Sequence, residues 1–369
     1  MAEVKGEMSK DSETIRVGLI GYGYAGKTFH APLIRATPGL KLSLVGSSRP
    51  EAVRMELGEV TVCSTTEAAI HPDVDLVVVA SPNHSHYPLA ASALYAGKHV
   101  VVDKPFTVTL AEARSLAEIA KGTGSMLSVF HNRRWESEVQ ATREVLQSGV
   151  LGMVSHYECH MDRYRPHVRQ RWRENEGAGA GLWFDLGPHL LDQTMYLFGL
   201  PQSISASLAM LRKGGKTDDW AHVQLNYESM RVILHASLLV SGGGPRSIVH
   251  GTRASWAKYG ADVQETQLKE GMTPGSPGFG YDPDPGVLYG GETGGRTEIP
   301  VPVGNQQMYY ARVRDTILGK QQSSIPTIDA VAVMAALETT FHSAEQGRVL
   351  PLSMTASEVA QWRRAHTAL

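Results

Sequence analysis

Cysteine is almost absent from this chain of 369 residues, which contains only Cys63 and Cys159, far apart in the sequence. Two distant cysteines provide neither a disulfide framework nor a cysteine zinc site, and their scarcity is typical of the reducing cytoplasm. The sequence also lacks an apolar run near the roughly 20 residues that a membrane-spanning helix needs. Residues 1–14 lack the apolar segment of a signal peptide. We therefore expect a cytoplasmic protein that contacts no membrane and begins with a disordered tail over residues 1–14.

A strong excess of one charge is missing as well, since the formal net charge is -2 and the pI is near 6.7. Nucleic-acid binding requires a concentrated basic surface, so we expect no nucleic-acid partner. The run over residues 163–173 is locally basic, but Tyr, Pro and Trp interrupt it, and we interpret its arginines as site-lining or ion-paired. With 42% hydrophobic and 20% charged residues, the chain has a globular composition, and its length favours two domains.

Over residues 15–132, short apolar runs alternate with segments of helical periodicity. The first run, Ile15–Ile20, is continuous and β-branched, as in a strand buried on both faces. Parallel neighbours require a crossover, so this alternation predicts an α/β Rossmann domain with a doubly wound parallel sheet. The later strands are predicted at Leu42–Gly46, Asp75–Ala80, Lys98–Asp103 and Met126–His131, and the helices up to Arg35, at about Pro88–Ala96 and at about Leu110–Lys121.

Beyond residue 150, strand candidates follow one another without helices between most of them, which predicts an α+β domain over residues 133–352 with a large, mostly antiparallel open sheet. The Gly- and Pro-rich stretch 271–295 is predicted to be a long loop. One of the last helices, with the terminal segment 353–369 as a candidate, is expected to pack on the Rossmann domain. The predicted strands are Val154–Arg165, Ser203–Leu211, His222–Tyr227, Arg231–Val240, Arg246–Gly251 and Ala254–Gly260, and the helices are about Asp185–Phe198, Asn305–Leu318, Ala330–Glu345 and Ala356–Ala368.

The glycines Gly21, Gly23 and Gly26 have the spacing GxGxxG and follow the first strand directly. The first permits a tight turn, the second lets the backbone approach a pyrophosphate, and the third allows close packing of helix and strand. A chance glycine turn would show the same letters, but the strand before it and the helix after it favour a dinucleotide site. Tyr22 and Ala25 belong to the same loop and are expected to contact the cofactor.

The end of the second strand reads Ser47-Ser48-Arg49, where a domain that binds NAD usually carries Asp or Glu for the ribose. Hydroxyls and a guanidinium would bind a 2′-phosphate that a carboxylate repels. The sequence therefore favours NADP, with NAD as the alternative if Arg49 only begins a solvated loop. Further cofactor contacts are expected after the next two strands, at Ser81, Asn83, His86, Asp103 and Lys104.

Five motifs follow one another along the chain: GYGYAG at Gly21–Gly26, SPNHSHY at Ser81–Tyr87, AGKHVVVDKP at Ala96–Pro105, FHNRRW at Phe130–Trp135 and WFDLGPHLLDQ at Trp183–Gln193. With these motifs in this order, the chain resembles the Gfo/Idh/MocA family of oxidoreductases over residues 15–369. One departure is Asp103-Lys104-Pro105, where the family usually has Glu-Lys-Pro. Within the family, the Ser-Arg end of the second strand and the basic segment after residue 161 resemble the subgroup of NADP-dependent scyllo-inositol dehydrogenases.

Lys104, Asp185 and His189 form the predicted catalytic set. Lys104 lies at the carboxyl end of the parallel sheet, where an ammonium can stabilise negative charge on a reacting oxygen. Asp185 and His189 are four residues apart, so they share one face of a helix. An imidazole suits the role of general base, because its ordinary pKa lies near neutral pH. Asp185 would orient this imidazole or bind a substrate hydroxyl.

Substrate contacts are predicted at the three catalytic residues and at Arg133, His160 and Asp192, because a polyol needs many hydrogen-bonding partners. Tyr164 and Arg165 are weaker candidates, for which a packing role is equally suitable. His131, His189 and Asp192 have spacing that a metal could use, but the resemblance implies no metal, and we expect none.

These features predict an NADP-dependent dehydrogenase that acts on the secondary alcohol of a cyclic polyol or sugar, with scyllo-inositol as the first candidate. Two alternatives remain: an enzyme of the same fold that acts on an aldose or another sugar, and a regulator that binds NADP without catalysis. The open sheet of the second domain is a candidate surface for a homodimer or a homotetramer.

Overall fold

A computed structural model describes residues 14–292 and 294–367, so the predicted tail, apart from Thr14, lies outside the described residues. The first half of the chain builds a parallel sheet whose core strands are apolar on both faces, as Leu76–Val79 shows with four fully buried residues. Its strands are β1 Ile15–Ile20, β2 Leu40–Gly46, β3 Thr61–Cys63, β4 Leu76–Val79, β5 His99–Val102 and β6 Leu127–Val129, and its helices are α1 Ala31–Ala36, α2 Pro50–Leu57, α3 Thr65–Ile70, α4 His86–Tyr95 and α5 Leu110–Thr123. The next helix, α6 Ser137–Ser148, instead contacts the second sheet, where Trp256 donates to Thr142 at 3.3 Å.

The strand order of this sheet is β3-β2-β1-β4-β5-β6, and all its pairs are parallel. The order reverses between β1 and β4, which opens a crevice at their carboxyl ends. This confirms the predicted doubly wound sheet. The short elements α2, β3 and α3 complete the unit between residues 50 and 70. Helices α3 and α5 begin at Ser/Thr…Glu capping boxes, formed by Ser64 with Glu67 and by Thr109 with Glu112.

The second half of the chain builds a sheet of nine strands in the order β14-β13-β12-β11-β7-β10-β9-β8-β15. Neighbours are antiparallel except for β7 and β10, which confirms a mostly antiparallel sheet. The elements are β7 Val154–His160, α7 Leu182–Phe198, β8 Ser203–Ala209, β9 Trp220–Asn226, β10 Arg231–Ser237, β11 Ser247–Gly251, β12 Ala254–Lys258, α8 Gln264–Lys269, β13 Gly286–Gly290, β14 Arg296–Ile299, α9 Gln307–Ile317, α10 Thr327–Gln346, β15 Leu350–Pro351 and α11 Ala356–His366.

The two faces of this sheet differ. Tyr157 and Cys159 of β7 are buried, and the Tyr157 ring packs 5.0 Å from the ring of Phe198 on α7. Because successive strand residues point to opposite faces, Glu158 and His160 lie on the side away from α7, where both are partly exposed. Helix α7 therefore covers one face and is held by the sheet above the crevice of the parallel sheet.

The stretch 271–295, predicted to be a loop, contains β13, and β14 follows directly. The prediction is correct for residues 271–285 and wrong for Gly286–Gly290, where glycine served as a loop signal. In the fold, Gly286 faces Trp256, whose nearest ring atom lies 1.9 Å from where a Cβ would be. The glycine is therefore a packing requirement of a strand that pairs with β12 through Gly286 and Lys258.

The last helices return to the parallel sheet. The Tyr310 hydroxyl of α9 lies 2.6 Å from Nδ1 of His30, and Thr327 at the start of α10 donates to the Leu127 carbonyl at 2.8 Å. On α11, Glu358 accepts two hydrogen bonds from Arg114 of α5. These contacts join the last helices to the half of the chain that builds the parallel sheet. Among the described residues, no helix is both long and apolar enough to cross a membrane.

Candidate active site

A cavity of about 770 Å³ lies between the carboxyl ends of the parallel strands and the first turns of α7. Its wall draws on both halves of the chain. The first half contributes Gly21, Tyr22, Gly23, Tyr24, Ala25, Phe29, Gly46, Ser47, Ser48, Arg49, Thr65, Ala80, Ser81, Pro82, Asp103, Lys104, Phe130, Asn132 and Arg133, and the second contributes Arg163, Arg165, Arg169, Arg171, Trp172, Arg173, Asp185, Leu186, His189, Glu265 and Lys269.

The glycine loop has the close backbone approach that a dinucleotide needs. Gly21 has a φ of +95°, and a Cβ there would lie 2.6 Å from the Ala80 carbonyl oxygen. A Cβ on Gly26 would lie 2.1 Å from the Gly21 carbonyl oxygen, so Gly26 acts in packing and does not line the cavity. Gly23 has open space where a side chain would stand. These residues fit a pyrophosphate against the backbone.

The end of β2 presents Ser47, Ser48 and Arg49 to the same cavity, as predicted. The Ser47 hydroxyl accepts a hydrogen bond from the Arg49 amide at 3.0 Å. Among the described residues, no carboxylate lies within 4.0 Å of the Arg49 guanidinium. The acids that line the cavity, Asp103, Asp185 and Glu265, belong to other segments. This end of the cavity therefore offers hydroxyls and a free cation.

Lys104 and Asp185 meet across the cavity. The Lys104 ammonium donates to the Asp185 backbone carbonyl at 2.8 Å and to its Oδ1 at 3.1 Å. Burial lowers the pKa of Lys104, although the attraction of Asp185 opposes this. Burial alone would raise the pKa of Asp185, but the charges of Lys104 and Arg173 outweigh it and hold that pKa well below its usual range. Asp185 therefore stays ionised, and Lys104 is a cation that gives up its proton more readily than an exposed lysine.

His189 lies one turn after Asp185 on α7 and lines the cavity, but its Nδ1 atom is buried without a hydrogen-bond partner. Burial and the nearby positive charge of Lys104 lower the pKa of His189 well below its usual value. The imidazole is therefore neutral at physiological pH. A neutral imidazole beside an ammonium can accept a proton from a hydroxyl that the ammonium also contacts.

Asp103 supports Lys104 from behind. Its Oδ1 accepts the Lys104 backbone amide at 2.8 Å and lies 3.7 Å from Nε2 of the buried His30. Burial would raise the pKa of Asp103, but His30 and Lys104 lower it to about 2. A carboxylate thus occupies the position where the family pattern has Glu, and it reaches the lysine backbone.

Besides Gly26, two predicted cofactor residues do not line the cavity. Asn83 is buried and donates to the Gly179 carbonyl at 2.8 Å. The two ring nitrogens of His86 lie 2.8 and 2.9 Å from the carbonyl oxygens of Ser81 and Pro105. Both side chains therefore shape the loops of the site from behind. The sequence places them after the right strand, but only the packed loops decide which side chains point inward.

His160 and Asp192, predicted to bind substrate, also lie elsewhere. His160 is on the uncovered face of the open sheet, 3.1 Å from Glu158 and 3.5 Å from Asp162. Asp192 is paired with Arg134 at 2.6 Å, deep below the cavity. Asp192 lies seven residues after Asp185 on the helix, which corresponds to a rise of about 10 Å along the helix axis. A shared helix face therefore does not bring both side chains to one cavity.

Potential metal ligands cluster on that same sheet face. In residues 14–292 and 294–367, the one group of three His, Cys, Asp or Glu side chains with ligand atoms within 4.8 Å of one another is His160, Asp162 and His235. The His131, His189 and Asp192 combination is not such a group.

Arg133 lines the cavity as predicted, but carboxylates occupy its guanidinium: Glu136 is in close contact and Glu265 lies at 3.3 Å. Glu265, on α8, also accepts a hydrogen bond from the Tyr24 hydroxyl at 2.6 Å. Sequence reasoning missed Glu265 and Lys269, because no motif marks α8 and only the fold brings it to the glycine loop. Asn132 was also missed, although it lies inside the FHNRRW motif.

The basic run contributes Trp172 and five arginines to the wall. The arginines of this run were interpreted as site-lining or ion-paired, and these five line the site. Two of them are also ion-paired, since Arg171 lies 2.7 Å and Arg169 3.1 Å from Glu174. Tyr164, a weaker candidate, is exposed and does not line the cavity, whereas Arg165 does.

Comparisons with known proteins agree with this arrangement. Residues 15–131 match the family model described as "Oxidoreductase family, NAD-binding Rossmann fold", and residues 143–353 match "Oxidoreductase family, C-terminal alpha/beta domain" of the same GFO_IDH_MocA group. The uncharacterized oxidoreductase YdgJ of Escherichia coli is 49% identical over 93% of this chain and 100% of its own length.

Two further relatives add a named activity and a solved structure. The scyllo-inositol 2-dehydrogenase (NADP(+)) IolW of Bacillus subtilis is 34% identical over 92% of this chain and 96% of its own length. A crystal structure of a putative oxidoreductase from Klebsiella pneumoniae is 50% identical, covers 96% of this chain and 99% of that one, and superposes with a TM-score of 0.91.

Proposed function

The chain belongs to the Gfo/Idh/MocA family of oxidoreductases. It is an NAD(P)-binding enzyme related to sugar and polyol dehydrogenases. We propose that it catalyses reversible hydride transfer between NADP and the secondary alcohol of a cyclic polyol or sugar, with scyllo-inositol as the first candidate. The observation that carries this proposal is the meeting of Lys104, Asp185 and His189 beside the glycine loop in one cavity.

Each of the three residues has a distinct task in this proposal. The neutral His189 accepts the hydroxyl proton of the alcohol, because its lowered pKa keeps the imidazole unprotonated before the reaction. The Lys104 ammonium stabilises the negative charge that develops on the same oxygen. Asp185 holds Lys104 in place through the 3.1 Å contact. The bound nicotinamide supplies the chemistry of the hydride, and the protein orients the partners.

NADP rather than NAD is supported by the Ser47-Ser48-Arg49 end of the cavity, which has hydroxyls and a guanidinium without a carboxylate partner in the part of the chain that the structure describes. The name of the IolW relative, which specifies NADP(+), points the same way. A 2′-phosphate would satisfy Arg49 with charge-assisted hydrogen bonds.

A cyclic substrate is supported by the partly exposed Trp172 on the cavity wall, because an indole offers a flat apolar surface for a ring. The alternative of an aldose or another sugar uses the same catalytic set, and a relative from Escherichia coli that is 32% identical over 55% of this chain is a D-glucoside 3-dehydrogenase. A regulator without catalysis would need only the glycine loop, so the preserved ammonium and imidazole argue against it.

Initial rates with inositols, aldoses and glucosides, each with NADP and with NAD, test this proposal. We expect turnover of at least one cyclic polyol or sugar and a kcat/KM at least about tenfold higher with NADP. Arg49→Gln should remove most of that preference, whereas Arg54→Gln, on the next turn of α2 and paired with Glu51, should leave it. Tight NADP binding without turnover of any member of the panel would instead support a regulator.

We also propose that a second copy covers the uncovered face of the open sheet, giving a homodimer or a homotetramer. Half-buried Trp220, His222 and His235 cluster there, with the Trp220 and His222 rings stacked 6.1 Å apart. Sedimentation analysis of the parent and of Trp220→Glu tests this, since a charge at a buried interface should favour the monomer.

We propose a cytoplasmic location, because the two free thiols, Cys63 and Cys159, suit a reducing compartment.

A further inference from the structure

The cavity carries much more positive than negative charge. Nine Lys and Arg side chains line it, against three Asp and Glu side chains. A neutral polyol gives no reason for this excess, and the residues that would hold the cofactor phosphates are those of the glycine loop and of the end of β2. Clefts lined by one sign of charge attract ligands of the opposite sign.

Most of these cations have carboxylate partners, so they carry little unbalanced charge. The partnered side chains are Lys104 and Arg173 with Asp185, Arg133 with Glu136 and Glu265, Lys269 with Glu265, and Arg169 and Arg171 with Glu174.

Arg163 and Arg165 differ from these partnered cations, as does Arg49 at the end of β2. Both are half-buried and line the cavity, yet in residues 14–292 and 294–367 no carboxylate lies within 4.0 Å of either guanidinium and no protein acceptor bonds to it. Burial lowers the pKa of both, and for Arg165 the neighbouring charge of Arg163 adds to the effect. Two adjacent, partly buried cations without partners destabilise the empty protein unless an anion joins them.

The position of this pair assigns it to the substrate end. Their backbone amides donate to the carbonyls of Ser237 at 2.9 Å and Leu238 at 2.7 Å, which fixes the segment at the end of β10. The carboxylate with the largest electrostatic influence on Arg163 is Asp185, the partner of Lys104. Arg49, at the end of β2, is not among the main charges that act on Arg163 or Arg165.

We propose that the substrate is a polyol or sugar that carries an acid group, a phosphate or a carboxylate, which Arg163 and Arg165 bind. This inference rests on the proposed dehydrogenase function and narrows its substrate class. A guanidinium presents its donors in a planar fork that matches the two oxygens of either group. The acid group would lie at a fixed distance from the alcohol that faces His189, so the arginines would select which hydroxyl reacts.

Kinetics with matched substrates test this. An inositol monophosphate and glucuronate are compared with scyllo-inositol and glucose, in the parent and in Arg163→Gln, Arg165→Gln and Arg348→Gln. We expect kcat/KM for an anionic substrate to exceed that of its neutral counterpart by at least about tenfold. Arg163→Gln and Arg165→Gln should raise KM for the anionic substrate by about tenfold. Arg348→Gln is the control, because this exposed arginine does not line the cavity, and it should change KM by less than about threefold.

Direct binding separates this inference from its rivals. Calorimetry of the parent should show inositol monophosphate binding that weakens in Arg163→Gln, while NADP affinity stays constant. A loss of NADP affinity in that variant would mean that the arginines hold the cofactor phosphates, which overturns the inference. Raising NaCl from about 50 to 500 mM should weaken the anionic ligand more than the neutral one.

The two proposals fail in different ways. Faster turnover of neutral polyols than of their acidic derivatives overturns the anion site and leaves the dehydrogenase intact. No turnover of any substrate contradicts the dehydrogenase, and binding of inositol monophosphate that depends on Arg163 would still support the anion site.

Discussion

Two groups of charged side chains lie beside helix α7, only two turns apart, and they differ in whether they open onto the cavity. Near its start, the cleft group comprises Lys104, Arg173, Asp185 and His189, and it opens onto the cavity. Farther along, the closed group comprises Arg134, Asp192 and Asp329, and its ion pairs measure 2.6 and 2.8 Å. The side chains of Lys104 and Asp185 are 14% and 17% exposed, against 5% and 2% for Arg134 and Asp192.

The difference shows how to separate a working site from a structural one when both contain the same residue types. In the closed group, Arg134 donates to both carboxylates, and Asp329 also lies 3.3 Å from Nε2 of His366. In the cleft group, the Nδ1 atom of His189 has no hydrogen-bond partner among the described residues, and Lys104 has a lowered pKa. An unpartnered imidazole beside a cavity can bind and transfer protons, whereas charges that are paired away from the cavity stabilise the fold.

The largest expected effect would come from removing the cleft group. Lys104→Ala and His189→Ala should each lower kcat by at least about a hundredfold, because each removes a group that acts on the reacting oxygen. Neither should lower the melting temperature much. Steady-state kinetics and thermal unfolding measure both, with the exposed His342 and Lys41 changed to Ala as controls. Near-normal turnover in both cleft variants would contradict the assignment.

Breaking the closed group should instead act on stability. Asp192→Ala leaves Arg134 with one carboxylate and should lower the free energy of unfolding by about 3 kcal/mol, because one partner of a buried pair is lost. Urea denaturation measures this, and Asp192→Asn, which keeps the shape, should cost less. If Asp192→Ala abolished turnover while leaving the unfolding curve unchanged, the division between the two groups would be wrong.

Changing pH should affect the two groups in different ranges. For alcohol oxidation, kcat/KM should fall by about tenfold per pH unit at both ends of the pH range. At low pH it falls once His189 is protonated, at a pKa below its usual 6.5, and at high pH it falls once Lys104 loses its proton, at a pKa below its usual 10.5. Arg134 holds the pKa of Asp329 below 3.8 against the effect of burial. The ionised Asp329 therefore stabilises the fold above pH 3.8, and this stabilisation is lost only as the pH falls through the lowered pKa of Asp329. Rate profiles and unfolding curves at the same pH values show whether activity is lost first.

The smallest effect is expected at an exposed ion pair, which calibrates the comparison. Glu358→Gln on α11 weakens the contact with Arg114, whose side chain is 39% exposed. The free energy of unfolding should fall by less than about 1 kcal/mol, and less at high salt, because solvent screens such pairs. A loss as large as that of Asp192→Ala would mean that α11 is essential for the fold.

The sequence predicted the parallel sheet, the glycine loop and the three residues of the catalytic proposal, because strand periodicity, GxGxxG spacing and helical i, i+4 spacing are local. It failed for His160 and Asp192, where the decisive fact was which way a side chain points. It failed for β13 because Gly286 serves the packing of Trp256. Glu265 carried no local signal, since its contact with Tyr24 joins residues 241 apart.

By itself, the sequence determined that this chain folds around a dinucleotide-binding sheet and carries the side chains of a dehydrogenase. Only the tertiary structure decided which of its many charged residues share a cavity and which neutralise one another. Backbone patterns arise from residues a few positions apart, whereas the pairing of Arg134 with Asp192 and the isolation of Arg163 depend on how distant segments pack. Charge has chemical consequences only through its neighbours and its distance from water.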